Sequence, residues 1–373
     1  MQPAADVRLS RLWLTDFRSY LQAELVPAPD GLTVVVGANG QGKTSLLEAV
    51  AWLATMSSFR GAPTESLVRD GAERAVVRAE GDRDGRTLLI EAEIPVRGRT
   101  RVQVNRQPLR RSRDLLGALR VSVFSPDDLV LVKGGPSERR RLLDETLVAV
   151  SPRWDALQGD VERVLRQRGA LLKQAGGRLT PEVATTLDVW DAKLAEAGSA
   201  LARGRADLVV GLEPAVTKAH DQVASSATTV GLGYEAAWAG SVQDLSRPRL
   251  AAALLAARAD DLRRGVTTVG PHRDDLGLVL SGLPARTHAS QGEQRTLALA
   301  LRLAVHAIVS EQVGTPPVLL LDDVFSELDP ARTQALVAHL PGGQALLTTA
   351  GELPSGIRPD AVVRLAGHHL VAG

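Results

Sequence analysis

The sequence predicts an α/β head assembled from both ends of the chain and interrupted by an α-helical insertion. Three observations carry this expectation. An apolar run with β-type composition, Leu32 to Val36, leads through Gly37-Ala-Asn-Gly-Gln-Gly-Lys43-Thr44 into a helical pattern (Ser45, Leu46, Leu47, Glu48, Ala49, Val50). A second apolar run, Val318-Leu-Leu-Leu, ends on Asp322-Asp323 near the C-terminus. Between them lies a long stretch whose apolar residues step by three and four. Residues 1–128 and 265–373 are expected to form the head, and residues 129–264 an inserted arm.

The first element reads as strand, glycine-rich loop and helix, the arrangement in which backbone N–H groups cradle phosphate oxygens. Gly37, Gly40 and Gly42 let the backbone close around those oxygens with no Cβ in the way. Ala38, Asn39, Gln41 and Ser45 complete the loop and the start of its helix. Lys43 supplies a point charge for the β- and γ-phosphates, and the Thr44 hydroxyl can coordinate Mg²⁺. The loop predicts a bound nucleoside triphosphate. In the downstream run, Asp322 and Asp323 arrive at the carboxyl end of a parallel-type strand, where ligands of such sheets sit. In phosphate-loop proteins the first acid, Asp322, holds Mg²⁺. The second, Asp323, lies where a base could orient or deprotonate an attacking water. Alone, four apolar residues and two acids would equally describe a capped, buried strand. Paired with the loop they complete a site.

Composition narrows the setting. The chain has 373 residues, 44% of them hydrophobic, which is enough for two domains with real cores. No apolar run approaches the roughly 20 residues of a membrane span, and Met1-Gln-Pro-Ala-Ala-Asp lacks the basic and apolar regions of a secretory signal. With no cysteine there are no disulfides or thiolate metal sites. A cytoplasmic location without membrane partners is the expectation. Net charge is +1, so any anionic polymer must be held by local basic patches.

Strand-like runs at 74–80, 87–94 and 100–104, separated by Asp-Gly and Arg-Gly turns, predict an antiparallel β layer on the head. In the insertion, Trp154, Leu157, Val161, Val164, Arg168 and Leu171 form a heptad seam with one polar lapse. The spacing predicts a helix of about 24 residues, roughly 36 Å long. After Gly176-Gly177, Thr180 can cap and Pro181 begin a second helix carrying Leu187, Trp190, Leu194, Ala197 and Leu201. Two heptad helices about a Gly-Gly turn predict an antiparallel, coiled-coil-like hairpin. An ordinary helical subdomain would show the same spacing.

A third motif, Ser290-Gln-Gly-Glu-Gln294, opens an apolar helical stretch (Leu297, Leu301, Ala304, Val305, Ile308). Ser290 with Glu293 can be read as a capping box. The segment also resembles the signature motif of ABC-type ATPases, and Ser326-Glu-Leu-Asp329 resembles their D-loop. With the loop and the acidic strand, the order of motifs is that of an ABC-type head. The resemblance implies ATP as the nucleotide and an ATP-dependent, head-to-tail homodimer. In it ATP lies between one head's phosphate loop and the other head's Ser290, Gly292 and Asp329. A helix N-terminus with a free hydroxyl suits a γ-phosphate arriving from outside.

Further strings resemble the RecF family of SMC-like bacterial repair ATPases: Phe17-Arg-Ser-Tyr20, Phe124-Ser-Pro-Asp-Asp128, Lys133-Gly-Gly-Pro-Ser-Glu-Arg-Arg-Arg141 with Leu143-Asp144, and Gly270-Pro-His-Arg-Asp-Asp275. The resemblance spans about residue 8 to about 350. It implies a nucleoid-associated protein acting on double-stranded DNA at gaps or single/double-strand junctions. Recombination mediator proteins and the RecA recombinase are the implied partners. By the same resemblance Asn39 faces the γ-phosphate, Arg18 and Ser19 lie near the nucleotide, and Arg60 matches an arginine loop that couples nucleotide state to DNA. Arg18 as an exposed charge beside a core aromatic, and Arg60 as a lone surface arginine, are the plain alternatives. The rivals are an SMC-like structural clamp, whose arm would be many times longer, and a transporter's nucleotide-binding subunit, which the heptad hairpin disfavours.

Two departures from the ABC pattern bear on rate. Asp323 stands where most such ATPases have Glu, and one methylene less shifts a base by about 1 Å, which can cost on the order of 100-fold. No His follows the run Ala345 to Thr349, where a switch histidine is usual. Both features predict slow, switch-like hydrolysis. Arg97, Arg99 and Arg101 alternate, so on a strand they would share one face. A phosphate rail for duplex DNA explains such a face, and so does a solvated edge strand. Arg139, Arg140 and Arg141 fan around a helix, so at most two can serve one surface. Aromatic content of 3% disfavours a base-stacking platform.

Overall fold

The computed structural model of the chain describes residues 8–83, 85–224, 228–367 and 369–372. The described residues form two compact units. The first draws on Met1–Leu129, Lys218–Thr228 and Gln291–Gly373, and the second on Val130–Thr217 and Thr229–Ser290.

Unit 1 is built on two six-stranded sheets. In the first, Tyr20–Leu25, Arg8–Phe17, Arg74–Arg83, Arg86–Pro95, Arg101–Val104 and Gln107–Pro108 lie side by side, all antiparallel. This is the β layer expected from the alternating runs at 74–80, 87–94 and 100–104. The second sheet runs His369–Ala372, Ala361–Ala366, Leu32–Val36, Ala345–Thr349, Val318–Asp322, Val121–Phe124. Its strands are parallel except for the first. Val318–Asp322 and Ala345–Thr349 are buried at every position, which is why they read as unbroken apolar runs. The helix Lys43–Thr55 packs against strands of both sheets, and Ser45 through Ala54 are all buried. A helix apolar all round is one that a core encloses.

The helix Gln291–Val313 is the one described helix with the length and hydropathy to cross a bilayer; 67% of its most apolar window is buried inside the protein. It is a core helix of unit 1. Arg302 on it pairs with Asp128 (2.6 Å), whose other oxygen accepts from the Ser125 backbone N–H (2.9 Å). That clasp holds the Ser125–Asp128 turn to the helix.

In unit 2 the first heptad segment is the helix Arg153–Ala175, ended by Gly176 and Gly177 with φ of 56° and 82°. The second begins at Pro181. Two things were not evident from the spacing. A further helix, Arg247–Arg264, packs on the first, with Leu172, Leu187 and Leu262 forming a shared apolar cluster. The polar lapse in the seam, Arg168, is also the centre of a buried ionic network. Arg168 is fully buried and donates to Asp191 (2.7 Å), Asp261 (2.7 Å) and Thr267 Oγ1 (2.9 Å). Asp191 also accepts from Arg258 (2.7 Å), and Asp261 from the N–H and hydroxyl of Thr268 (2.9 and 2.6 Å). The hairpin is therefore part of a helical subdomain with three long helices rather than an isolated two-helix coil.

Residues 265–290, expected with the head, group with unit 2. Asp275–Leu280 pairs antiparallel with Val230–Glu235 and Leu283–Pro284. Asp275 receives both Nε and Nη2 of Arg139 (2.8 and 2.7 Å). Arg140 donates to the Asp274 carbonyl (2.6 Å), and the Asp274 carboxylate accepts from Tyr234 (2.7 Å) and Trp238 (3.0 Å). Arg205 holds Asp144 through two bonds of 2.7 Å and the Pro271 carbonyl through a third.

Removing one partner of a buried ion pair strands the other, at about 3–5 kcal/mol. Arg168→Ala is therefore expected to destabilise unit 2 by that order. Chemical denaturation followed through tryptophan fluorescence should show a selective early transition, whereas exposed Arg163→Ala should leave the curve in place.

Candidate nucleotide-binding site

The strand Leu32–Val36 ends on the glycine-rich loop, and the helix Lys43–Thr55 starts at its far side. Gly40 and Gly42 have φ of 80° and 99°. A Cβ at Gly42 would come within 2.9 Å of both Ser19 Oγ and Tyr20 Oη. Position 42 therefore needs glycine for conformation and for space. Tyr20 Oη donates to the Gly42 carbonyl (3.0 Å), and burial pushes its phenol well above the usual range. Gln41 Oε1 accepts from the Ala38 N–H (3.1 Å), closing the loop on itself.

Lys43 Nζ lies within the loop and donates to the carbonyls of Gly37 (2.6 Å) and Ala38 (3.0 Å) and to Asn39 Oδ1 (3.4 Å). Burial lowers its pKa, while the charges of Asp323 and Asp322 oppose that shift. Thr44 Oγ1 donates to Asp322 Oδ1 at 2.9 Å, so residues 278 positions apart are in direct contact. Thr348, from the intervening strand, donates to the same oxygen at 2.8 Å. Burial raises the Asp322 pKa; the bonds from Thr348 and Thr44 act against it. Asp323 sits in the left-handed region at φ 47°, with its N–H held by the Thr348 carbonyl and hydroxyl (both 3.1 Å). At the neighbouring strand end, Thr349 Oγ1 accepts from the Gly351 N–H at 3.2 Å, where a switch histidine is usual.

Lys43, Thr44, Asp322 and Asp323 line one open cleft of about 700 Å³, together with Arg18, Ser19, Asn39, Gly40, Gly42, Ser45 and Arg60. Ser66, Val68 and Asp70, which the sequence did not single out, complete the lining. The cleft is large enough for a nucleotide. The donor set at its floor, one hydroxyl and one carboxylate, suits Mg²⁺, which takes few protein oxygens and fills its shell with phosphates and water. Among the described residues no group of three or more His, Cys, Asp or Glu is placed to hold a metal alone.

Arg18 lines the cleft and is also engaged with the helix that starts at the loop. Its guanidinium is bound through Nε and Nη2 (2.8 and 2.7 Å) to Glu48, a fully buried carboxylate of the helix Lys43–Thr55. Its Nη1 donates to the Ser66 carbonyl at 2.8 Å. Glu48 and Thr348 are site-supporting residues that sequence reasoning passed over. Glu48 had a signal, being the one charge among Ser45 to Ala54.

Ser290, Gly292 and Asp329 are not among the residues lining this cleft. Ser290 immediately precedes the helix Gln291–Val313. Asp329 caps the helix Pro330–Ala338, accepting from the Arg332 N–H (2.9 Å), and forms an ion pair with that arginine. Arg332 also donates to Thr296 Oγ1 (2.8 Å) and covers Gly292, where a Cβ would lie 3.1 Å from its Nη2. The expected arginine rail is not a strand face. Arg97 and Arg99 lie in the turn after Arg86–Pro95, around Gly98 at φ 107°, and only Arg101 is in a strand. All three are exposed. Arg139 and Arg140 are committed inside unit 2, while Arg141 pairs along its own helix with Glu138 and Glu145.

Comparison with known proteins agrees with this geometry. Residues 8–345 match the family model described as RecF/RecN/SMC N terminal domain. The DNA replication and repair protein RecF of Streptomyces avermitilis is 46% identical over 352 residues, covering 92% of this chain and 93% of that one. The RecF protein of Kineococcus radiotolerans is 42% identical over 389 residues, covering 98% of each. A solved structure described as the recombination mediator protein RecF-ATP in the RecFOR pathway superposes with a TM-score of 0.91 at 30% identity, covering 100% of this chain and 99% of the other. An Smc head domain from Pyrococcus furiosus, at 15% identity and a TM-score of 0.57, shares the fold. A phosphate loop, an acidic strand and a helical insertion thus coincide with near full-length kinship, and the chain belongs to the RecF family.

Proposed function

We propose that this chain is an ATP-dependent DNA-binding protein of recombinational repair. In this reading ATP drives two copies together head to tail, and the dimer clamps duplex DNA at gaps or single/double-strand junctions and helps load RecA. Slow, DNA-stimulated hydrolysis then times release. The observation that carries the reading is the Thr44–Asp322 contact at the mouth of the glycine loop, with Asp323 beside it in a nucleotide-sized cleft. Kinship with RecF proteins, one described with ATP and in the RecFOR pathway, supports the rest. The first unit would carry the chemistry, and the second the inserted helices.

Each residue has a derivable task. The loop N–H groups receive the phosphates, and Lys43 exchanges the carbonyls of Gly37 and Ala38 for phosphate oxygens. Thr44 and Asp322 would hold Mg²⁺, which neutralises phosphate charge when bound. Asp323, fixed through its backbone by Thr348, orients the attacking water. Its side chain is a methylene shorter than Glu, which favours a slow step. Ser290, Gly292 and Asp329 would face the γ-phosphate held by the other copy. Arg60, Arg97, Arg99 and Arg101 would supply DNA phosphate contacts.

Nucleotide binding is tested first. Gly42→Ala should displace Ser19 and Tyr20 and lose ATP binding in calorimetry, and Lys43→Ala should do the same with the fold intact by circular dichroism.

The Asp322 carboxyl, raised by burial, takes up its proton at higher pH than an ordinary aspartate. On acidification the proton competes with Mg²⁺, so the Mg²⁺-dependent part of ATP affinity should weaken before the usual carboxylate range, near pH 4, is reached. Asp322→Asn should show weak affinity with that pH dependence gone.

The composite site and the clamp are tested together. Ser290→Arg should bind ATP as a monomer, and Asp323→Asn should dimerise but barely hydrolyse, both read by light scattering and phosphate release. Log affinity for duplex DNA falls with log salt by about 0.9 per phosphate neutralised. The slope should be steeper with ATP than with ADP, and Arg99→Ala should shallow the ATP slope by about two, one per subunit. Equal slopes in both nucleotide states would refute the clamp.

A further inference from the structure

We infer that Glu48 is a positioning residue: its buried carboxylate fixes the loop from which Arg60 enters the nucleotide cleft. The inference rests on the nucleotide-binding reading of that cleft. Glu48 lies one turn beyond Thr44 on the same helix, so it is rigidly related to the phosphate loop. Its Oε1 accepts from Ser58 Oγ and from Arg18 Nη2 (2.7 Å), and its Oε2 from Arg18 Nε (2.8 Å). Ser58 has one hydroxyl proton, and it is donated in a hydrogen bond to Glu48. The hydroxyl oxygen is thereby turned to accept, and it receives the Arg60 backbone N–H at 3.1 Å.

The chain enters this loop through Met56, in the left-handed region at φ 58°, so helix and loop are joined by a sharp turn. Arg60 lines the cleft with Asp322 and Asp323, and its charge is felt at Asp322. Arg18 serves as the counter-charge that lets Glu48 be buried, and it anchors the Ser66–Leu67 backbone on the other side through Nη1 and its own N–H (2.8 and 2.7 Å). One carboxylate therefore ties the phosphate-loop helix to two separate cleft walls.

The test is a mutant cycle between Ser58→Ala and Arg60→Ala, with Glu48→Gln as a third variant. Ser58→Ala removes the relay and leaves the Glu48–Arg18 pair in place. Misplacement of a reacting-site group by about 1 Å can cost up to 100-fold. Each single variant should lower kcat for ATP by about tenfold while ATP affinity by calorimetry stays within about twofold. Ser58→Ala combined with Arg60→Ala should be no slower than Arg60→Ala alone. Losses that multiply in the double variant, or a Ser58→Ala variant that turns over normally, would overturn the inference. If Glu48→Gln does not fold, the serine–arginine cycle decides alone. A wild type that neither binds nor hydrolyses ATP would instead overturn the parent reading, which Lys43→Ala tests independently.

Discussion

Enclosure of the helix Lys43–Thr55 between two sheets is the constraint on which the first unit depends. Leu46, Leu47, Val50, Trp52 and Leu53 point in all directions around the axis, and each is almost wholly buried. At about 1.5–3 kcal/mol for each large apolar side chain, no other placement of this segment competes. Because the helix begins directly after the loop, its enclosure also fixes where Lys43 and Thr44 stand. Packing, rather than any ligand, thus sets the position of the phosphate loop. The one charged residue between Ser45 and Ala54 cannot be left alone in such a core, and Arg18 and Ser58 are drawn to Glu48 as a result.

The acidic end of the site depends on strand order and register. Ala345–Thr349 lies between Leu32–Val36 and Val318–Asp322, with Thr348 opposite both Asp322 and Val35. Side chains alternate across a strand, so a slip of one residue would replace Asp322 by Leu321 at this edge. The continuous apolar runs bury both faces of the sheet and make that slip costly. Thr348 then shares one Asp322 oxygen with Thr44, and its backbone carbonyl holds Asp323. The acidic pair at one strand end is therefore positioned by the strand beside it, which carries no recognised motif.

What the sequence made legible were features with a short range. The glycine loop, the acidic strand, each run of the β layer and the Gly-Gly turn lie within a dozen or so residues, and each is present. What stayed hidden were partners distant in the chain. The pairing of Arg18 with Glu48 stayed hidden because the two lie thirty residues apart. Arg168 reads as a lapse in a seam because Asp261 lies on a third helix, 93 residues away. Arg97 and Arg99 follow strict alternation, but Gly98 at φ 107° makes that alternation a turn. Alternation of charges over three residues does not distinguish a strand from the turn that closes it, whereas glycine at the centre argues for the turn.

The strings that most clearly mark the family have a structural explanation distinct from the site. Gly270-Pro-His-Arg-Asp-Asp275 and Lys133 through Arg141 meet each other in unit 2, through Arg139 with Asp275 and Arg140 with the Asp274 carbonyl. Asp274 is enclosed by Tyr234 and Trp238, and burial pushes its carboxyl up to about 6. His272 is buried with its Nε2 against the Thr267 carbonyl (2.9 Å), and burial holds it down to about 4. These buried polar groups hold one another through shared hydrogen bonds, with His272 Nδ1 left as a buried atom without a partner. The phosphate loop and acidic strand, by contrast, answer to the chemistry of phosphate and recur wherever that chemistry is used. One set of motifs therefore speaks to what the cleft can bind, and the other to which scaffold holds it.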